Sequence, residues 1–395
     1  MNKYKIMPVI AAIIIILTIL VLNSIKTDKN NDVYNRNTYT DSSDTGTSVM
    51  NNDSDSNKIT ENMSSDHSSA TLPEEAYKPE ITIAFAGDIL LADNLYTSYT
   101  EKGVTGFLSG TVYHQLKNAD LTFINEEFPF SNRGTPEPDK EYTYRIPPER
   151  VQVFKDMGID VVSVSNNHIL DYGQEALVDT FEVLDAAGID YVGAGPALDR
   201  ARQLITKEVN GKTIGFLAAS RVVPNGEWYA RNASDTYEAR PGVFAAYDDT
   251  ALCEDITKAK QICDFVVVYA HWGIERQETA AEYQRTMARH FVDAGADLVI
   301  GSHPHVMQGV EFYNDTPIVY SLGNFLFSNY YSRTTVLTCT IDKNNNCKID
   351  FLPCKSQTYY TSELNGDEIS GFYDFLNRVS FGVTFTTDGS YTYNN

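Results

Sequence analysis

The segment from Asp297 to His305, with the sequence DLVIGSHPH, decides the interpretation of the fold. Residues 297–300 are typical of a short buried strand, and they lead directly into a polar loop. That loop carries two imidazoles one residue apart, and the proline between them restricts the backbone. Both imidazoles can therefore face the same ion. We expect a strand that ends at a metal-binding loop.

The same arrangement occurs four more times along the chain, where a short apolar run stops at polar residues able to do chemistry. The runs 81–86, 121–124, 161–164 and 265–269 stop at Gly87-Asp88, Asn125-Glu126-Glu127, Ser165-Asn166-Asn167-His168 and Ala270-His271-Trp272-Gly273. Helical stretches at 149–157, 174–187 and 280–294, each followed by a glycine, lie between several of these runs. Strand, loop, helix and strand in this order predict an α/β sheet with covered faces. In such sheets ligands bind outside the carboxyl ends of the strands.

The later part of the chain has a different pattern. Segments 309–313, 317–321, 335–341 and 347–352 are more β-rich, and residues 366–379 are typical of a closing helix. We therefore expect one folded domain over residues 79–355, with a C-terminal helix and tail, 356–395, packing on it.

Composition excludes several classes of protein. The chain has 395 residues, 42% of them hydrophobic, which is enough apolar material for a core and excludes a wholly disordered chain. Its formal net charge of −22 excludes a general nucleic-acid binder, because an acidic surface repels phosphate. Five scattered cysteines without a CxxC pair exclude a disulfide framework and a zinc ribbon.

The N-terminus resembles a membrane anchor. Residues 6–22 are apolar apart from Thr18, which is at the lower bound of the roughly 17–25 residues that span a bilayer. Lys3 and Lys5 precede the run and favour a cytoplasmic N-terminus. The alternative is a cleaved signal peptide, although no Ala-x-Ala follows the run. We expect residues 1–26 to form a cytoplasmic stub and a single transmembrane helix.

Residues 27–78 are rich in Ser, Thr, Asn and Asp and almost devoid of large apolar side chains. Such a segment cannot bury enough surface to offset its chain entropy, so we expect a disordered linker. The anchor and this linker would place the folded domain at the cell membrane, outside the cytoplasm.

The side chains at the strand ends form a candidate metal site. Imidazole, carboxylate and amide ligands together favour Zn, Mn or Fe over Ca. A set of this size could hold one or two divalent ions. The members are Asp88, Glu127, Asn167, His168, His271, His303 and His305.

These residues resemble a known family. The motifs run in order from about 81 to 330, and together they are similar to the CapA family of capsule and poly-γ-glutamate synthesis proteins. That family looks like a branch of the calcineurin-like metallophosphoesterase superfamily. The resemblance implies a four-layer α/β sandwich, in which two mixed β-sheets are flanked by helices. The motifs are Ala86-Gly87-Asp88, 124–129, 165–168 with 171–173, His271-Trp272-Gly273-x-Glu275, 301–305 with Gln308, and 320–325.

The resemblance also implies roles for individual residues. It implies the metal ligands Asp88, Glu127, Asn167, His271, His303 and His305. It implies catalytic roles for His168, as the acid or phosphate-contacting histidine, and for Asp171. Arg145, Asn166, Glu275 and Asn324 are candidates for contacts to substrate or to the ligands. The choice between Glu126 and Glu127 stays open, and Leu90 stands where phosphoesterases carry a histidine.

Two functions follow from the resemblance. The first is an anchored, extracytoplasmic, metal-dependent hydrolase or transferase that acts on an anionic cell-envelope polymer or its precursor. The second is a non-catalytic scaffold or export subunit beside the membrane subunits of a poly-γ-glutamate synthase. A folded domain with a decayed site is the remaining alternative.

Overall fold

A computed structural model describes residues 80–328 and 330–394. Eighteen strands and eight α-helices alternate along this part of the chain. The helices are α1 Asp93–Lys102, α2 Gly110–Lys117, α3 Val151–Met157, α4 Gly173–Ala187, α5 Leu198–Ala201, α6 Thr250–Ala259, α7 Glu282–Asp293 and α8 Asp367–Val379. Among the described residues, no helix is both long and apolar enough to cross a bilayer. The expected anchor, 1–26, and linker, 27–78, lie outside the described residues.

The first large sheet has eight strands. Its order is β16-β15-β14-β1-β2-β3-β4, and β13 pairs with the end of β1. Strands β1 to β4 are parallel, whereas β14, β15 and β16 pair antiparallel. These strands are β1 Ile81–Ile89, β2 Leu121–Glu126, β3 Val161–Ser163, β4 Asp190–Val192, β13 Asn324–Leu326, β14 Ser332–Ile341, β15 Cys347–Gln357 and β16 Tyr360–Glu363.

The second large sheet has six strands in the order β11-β12-β10-β9-β7-β6. Its four central strands are parallel, and β6 and β11 close the two edges in antiparallel pairing. These strands are β6 Ile205–Val209, β7 Lys212–Ser220, β9 Phe265–His271, β10 Leu298–Ser302, β11 Val310–Tyr313 and β12 Thr316–Val319. Two small pairs complete the fold, namely β5 Ala194–Gly195 with β8 Gly242–Val243, and β17 Val383–Phe385 with β18 Tyr391–Tyr393.

The two large sheets pack face to face over a shared core. Phe123 of β2 stacks on Tyr269 of β9 with ring centroids 4.8 Å apart, and both side chains are buried. Helices α1 to α4 cover the outer face of the first sheet, and α6 and α7 cover that of the second. The described part of the chain is therefore a mixed α/β fold with helices, sheet, sheet and helices in successive layers.

Helix ends agree with their sequence signals. Gly158 and Gly188 end α3 and α4 in the left-handed conformation, at φ of 81° and 73°. Helix α8 corresponds to the expected closing helix and contributes Phe372 and Leu376 to the core between the sheets. Strand β15 continues across position 355, so the C-terminal segment begins inside the first sheet.

Four of the five expected strands extend further than predicted. Strand β1 runs to Ile89 rather than 86, so Asp88 lies within the sheet and not in a loop after it. Asp88 pairs there with Asn125 on one side and Asn324 on the other. Polar residues remain in strand conformation because neighbouring strands satisfy their backbone groups. Asp88 is therefore held in place by the backbone hydrogen bonds of the sheet.

Candidate metal centre

The carboxyl ends of strands from both sheets supply the predicted site residues. Asp88 lies in β1, and Glu127 follows β2 directly. Asn167 and His168 follow β3, on the turn that leads into α4. His271 is the last residue of β9, and the loop after β10 carries His303 and His305. The site thus lies where the two sheets present the same end of their parallel strands.

Two glycines allow the backbone to approach closely here. A Cβ atom added to Gly87 would lie 1.9 Å from the carbonyl oxygen of Gly323, and that carbonyl accepts a hydrogen bond from the Asp88 amide at 3.0 Å. A Cβ atom at Gly301 would lie 2.1 Å from the carbonyl oxygen of Tyr320. No other residue fits at either position without displacing a strand that carries site residues.

The side chains converge in two overlapping groups. The ligand atoms of Glu127, His271 and His303 all lie within 4.8 Å of one another, and so do those of Asp88, Glu127 and His305. Glu127 belongs to both groups, with Oε1 3.7 Å from His271 Nε2 and 4.0 Å from His305 Nε2. This buried cluster of acidic and histidine side chains could hold a metal ion.

Several polar atoms of the cluster lack a hydrogen-bond partner among the described residues. Asn125 donates to Asp88 Oδ1 at 2.8 Å and to Glu127 Oε2 at 3.3 Å. The second oxygens, Asp88 Oδ2 and Glu127 Oε1, are buried and accept no hydrogen bond there, and His303 Nδ1 is likewise unpaired. Buried polar atoms left unpaired are costly, so their convergence fits a bound cation.

The protonation behaviour of the cluster fits the same conclusion. Burial raises the pKa of Glu127 well above its ordinary value, and the charge of Asp88 raises it further. Burial lowers the pKa of His271 well below its usual range and that of His303 to about 3, and neighbouring imidazoles add to both effects. Neutral imidazoles facing crowded carboxylates are ready to coordinate, since a histidine must be neutral to bind a metal.

His305 lies in a different electrostatic environment. Burial would lower its pKa, but Glu127 and Asp88 raise it to about 9. Its Nδ1 atom lies 2.8 Å from Asn324 Oδ1 and 3.5 Å from Asp88 Oδ2. Its ring packs on Phe327, with centroids 4.6 Å apart. Without a cation, this imidazole therefore supplies the positive charge that the carboxylates need.

The His-Pro-His loop has an unusual backbone. His303 and His305 have φ values of +96° and +57°, which non-glycine residues rarely adopt. Such conformations cost on the order of 1–3 kcal/mol each and persist only where the surroundings enforce them. The loop directs both imidazoles to the cluster in spite of that cost.

His168 forms a pair with Asp171 beside the cluster. Its Nδ1 atom lies 2.7 Å from Asp171 Oδ2, and the Tyr144 amide donates to the same oxygen at 2.7 Å. Both members of the pair are buried, and burial lowers the pKa of His168. The carboxylate fixes one ring nitrogen, so Nε2 is the nitrogen left for proton transfer.

Asn166 and Asn167 make different contacts in the site. Asn166 donates to the Glu126 carbonyl at 2.7 Å, and its Oδ1 accepts from the His168 amide at 3.1 Å, so it fixes the turn. Asn167 Oδ1 lies 2.8 Å from His271 Nε2 and therefore reaches the cluster. Glu126 belongs to neither ligand group, although its carboxyl is buried and burial raises its pKa. The geometry favours Glu127 over Glu126.

The remaining candidates differ in position. Asn324 is buried and orients His305. The Arg145 guanidinium donates to the carbonyls of Arg133 and Gly134, at 2.8 and 3.3 Å, and lies over the Tyr172 ring. Glu275 is exposed on the loop after β9. The structure therefore brings Asn324 into the site and places Arg145 and Glu275 outside the buried cluster.

Sequence reasoning missed two contacts of the site. Lys140 donates to Asp171 Oδ1 and lies 3.1 Å from His168 Nδ1. Ser302 Oγ lies 3.0 Å from His271 Nδ1 and fixes that ring. Ser302 adjoins the His-Pro-His motif and could have been included with it. Lys140 lies in the irregular segment 131–147, where periodicity gives no signal.

Comparison with known proteins gives consistent matches. The family model described as bacterial capsule synthesis protein PGA_cap matches residues 82–329. The PGA biosynthesis protein CapA of Bacillus subtilis (strain 168) is 34% identical over 256 residues, which cover 64% of this chain and 65% of that protein. The capsule biosynthesis protein CapA of Bacillus anthracis is 31% identical over 291 residues, 70% and 68% of the two chains. The match thus covers just under two thirds of the Bacillus subtilis relative.

Among solved structures, a hypothetical protein from Thermus thermophilus superposes with a TM-score of 0.44 at 15% identity. The superposition covers 70% of this chain and 100% of that one.

Proposed function

Because the chain belongs to the PGA_cap family of bacterial capsule synthesis proteins, we propose that it acts in capsule or poly-γ-glutamate biosynthesis as a metal-dependent hydrolase or transferase. The family match confirms the resemblance to CapA proteins. Both Bacillus relatives are named for biosynthesis of such polymers, which supports an accessory role beside a synthesis machinery. The substrate in this proposal is an anionic cell-envelope polymer or its precursor.

One observation carries the catalytic part of the proposal. Asp88 Oδ2, Glu127 Oε1 and His303 Nδ1 are buried without hydrogen-bond partners among the described residues, and they belong to the two overlapping ligand groups. Buried polar atoms without partners are costly, whereas cations held by the two ligand groups would pair with them. The donor set of imidazole and carboxylate favours Zn, Mn or Fe, as one ion or two.

Residues of the chain would supply proton transfer and would orient the ligand side chains. A divalent cation, when bound, supplies Lewis acidity and lowers the pKa of water. His168 is one position from Asn167 and is held by Asp171, so its Nε2 can take a proton from a nucleophile and then give it to a leaving oxygen. Asn324 and Ser302 fix the rings of His305 and His271, which keeps their nitrogens aimed at the cluster.

The proposal also includes the cell membrane as location. The apolar run 6–22 would anchor the chain in a single pass with its N-terminus in the cytoplasm. The folded domain would then face outward, next to membrane subunits that make or export the polymer.

A second candidate function rests on Leu90. This side chain is 6% exposed and packs in the core beneath the helices, at the position where phosphoesterases carry a histidine. The chain would therefore offer one ligand fewer than a phosphoesterase, which favours a scaffold or export role in which a metal would be structural. Capsule retained in a His168→Ala strain but lost on deletion of the gene would support this second function.

The decisive experiment measures metal in the full-length protein. We expect purified protein to contain a divalent transition metal and to turn over phosphoester or γ-glutamyl substrates in a screen. His303→Ala should lose most of the metal, whereas His290→Ala, at a half-exposed position in α7, should retain it. A metal-free protein whose stability and turnover are unaffected by His303→Ala would contradict the proposal.

A further inference from the structure

Lys140 joins the parts of the site that carry proton transfer and metal binding. Its ammonium donates to Asp171 Oδ1 and to the carbonyl oxygen of Asn167, and it lies 3.1 Å from His168 Nδ1. Its side chain is only 17% exposed, and its ammonium lies 5.1 Å from the centroid of the Trp228 ring. The ammonium therefore contacts three residues of one turn and is largely shielded from water.

The two oxygens of Asp171 are divided between different partners. Oδ1 accepts from Lys140, while Oδ2 faces His168 Nδ1 at 2.7 Å and accepts from the Tyr144 amide. A carboxylate held at both oxygens cannot rotate, so the imidazole that pairs with it is held in one orientation. Without Lys140, Oδ1 would be buried without a hydrogen-bond partner. The cost of that unpaired oxygen would favour rotation of the carboxylate.

The second contact of Lys140 extends to the metal cluster. Asn167, whose carbonyl Lys140 binds, places its own Oδ1 atom 2.8 Å from His271 Nε2. The Lys140 ammonium thus contacts both Asn167, which reaches the cluster, and the His168–Asp171 pair beside the cluster.

Lys140 itself is held by two irregular segments. It lies in segment 131–147, where the Glu137 amide donates to the carbonyl oxygen of Asp171 at 2.8 Å. Asn225, in segment 221–241, donates to Glu137 Oε1 at 3.0 Å, and Trp228 of that segment is buried with its ring near the Lys140 ammonium. Segments 131–147 and 221–241 therefore contact each other next to Lys140.

We propose that Lys140 is a positioning residue, which holds the Asp171 carboxylate and the Asn167 carbonyl so that the His168 ring stays aligned with the metal cluster. This inference rests on the proposed function. It predicts that removing the ammonium impairs turnover without removing the metal, because Lys140 itself contributes no ligand atom.

Kinetics of the full-length protein test this role. With Mn²⁺ and bis(p-nitrophenyl) phosphate as the probe, Lys140→Met should lower kcat about 10-fold to 100-fold with KM changed less than about threefold. Lys348→Met, at an exposed lysine on β15, is the matched control and should leave kcat unchanged. Metal content should be equal in all three proteins. An unchanged kcat in Lys140→Met would overturn the proposal, as would a loss of metal.

A double-mutant cycle separates positioning from general damage. Lys140→Met, Asp171→Asn and the double variant should be strongly non-additive in kcat, because both changes disrupt the same alignment. Methylammonium added to Lys140→Met should restore part of kcat, and additive effects without rescue would contradict the role.

Failure of the proposed function would be recognisable separately. If the wild-type protein turns over no probe, the His168 ring signals in ¹H–¹⁵N NMR spectra still test Lys140. They should shift in Lys140→Met and stay in place in Lys348→Met. Unshifted His168 signals in Lys140→Met would refute the positioning role itself.

Discussion

His271 Nε2 lies 2.8 Å from Asn167 Oδ1, although the two residues are 104 positions apart and lie at the ends of strands in different sheets. This contact joins the two halves of the candidate metal centre. It also explains why the site depends on the packing of the sheets as much as on its own side chains. That dependence, and the charges around the site, can be tested by substitution and by titration.

Gly87→Ala should damage the fold and the site together. The new Cβ atom would lie 1.9 Å from the Gly323 carbonyl oxygen, so β1 and β13 must separate. We expect a loss of about 1–3 kcal/mol in the free energy of unfolding, measured by urea denaturation, and weaker metal binding because Asp88 moves. Gly110→Ala, where nothing lies within 4 Å of the new atom, is the control. Equal stability of the two variants would refute the steric argument.

Glu127→Gln should change stability in opposite directions with and without metal. The pKa of Glu127 is raised in the folded protein by burial and by Asp88, so ionisation opposes folding as the pH rises above the unfolded value of about 4.3. In chelator-treated protein at pH 7 the variant should therefore be more stable than the wild type.

With metal present the order should reverse, because a ligand charge is lost. Thermal unfolding with chelator and with Mn²⁺ measures both arms, and Glu254→Gln, at an exposed carboxylate, is the control. A variant that is less stable than the wild type in chelator would contradict the prediction.

Glu311→Gln should cost stability in a pH-dependent way. Burial alone would raise the pKa of Glu311, but hydrogen bonds from Arg285, Arg289 and Tyr320 lower it. The contribution is therefore present above the unfolded pKa and is lost as the pH falls through the folded value. We expect a loss of about 2 kcal/mol at pH 7 in urea denaturation, shrinking below about pH 4. A difference that stays constant down to pH 3 would contradict this assignment.

Binding of a polyanion should depend on metal and rise with added salt. The chain carries a net charge of −22, so its overall field repels an anionic polymer, and salt screens that repulsion. We expect the affinity for poly-γ-glutamate, measured by titration calorimetry, to increase between low and moderate NaCl and to vanish with chelator. An affinity that falls steeply with salt would instead indicate a cationic binding surface.

Sequence patterns predicted the parts of the site that lie at strand ends. The alternation of apolar runs and polar ends was sufficient to predict that His271, His303 and Asn167 lie close together, because parallel strands place their carboxyl ends at one edge. The pattern could not give the length of β1, since Gly87 and Asp88 look like a turn until β13 is known to pair there. That pairing joins positions more than two hundred residues apart.

The pattern of apolar runs and polar ends could not predict the roles of residues outside helices and strands. Lys140 lies in a segment without periodicity, and its role becomes visible only when segments 131–147 and 221–241 are seen together. Arg145 was a candidate for contacts to substrate or to the ligands. In the structure its guanidinium donates to the carbonyls of Arg133 and Gly134. The sequence shows that a side chain is charged, but it does not show which groups that side chain contacts in the fold.

The stacked rings of Phe123 and Tyr269 set the distance between the sheets at a level just below the metal centre. Ligand nitrogens and oxygens tolerate displacements of only about 0.2 Å around an ion. Trimming either ring should therefore alter which metal the cluster would hold, even though neither residue belongs to the ligand groups. We therefore expect core packing to influence metal selectivity, so that substitutions outside the ligand groups would adjust it.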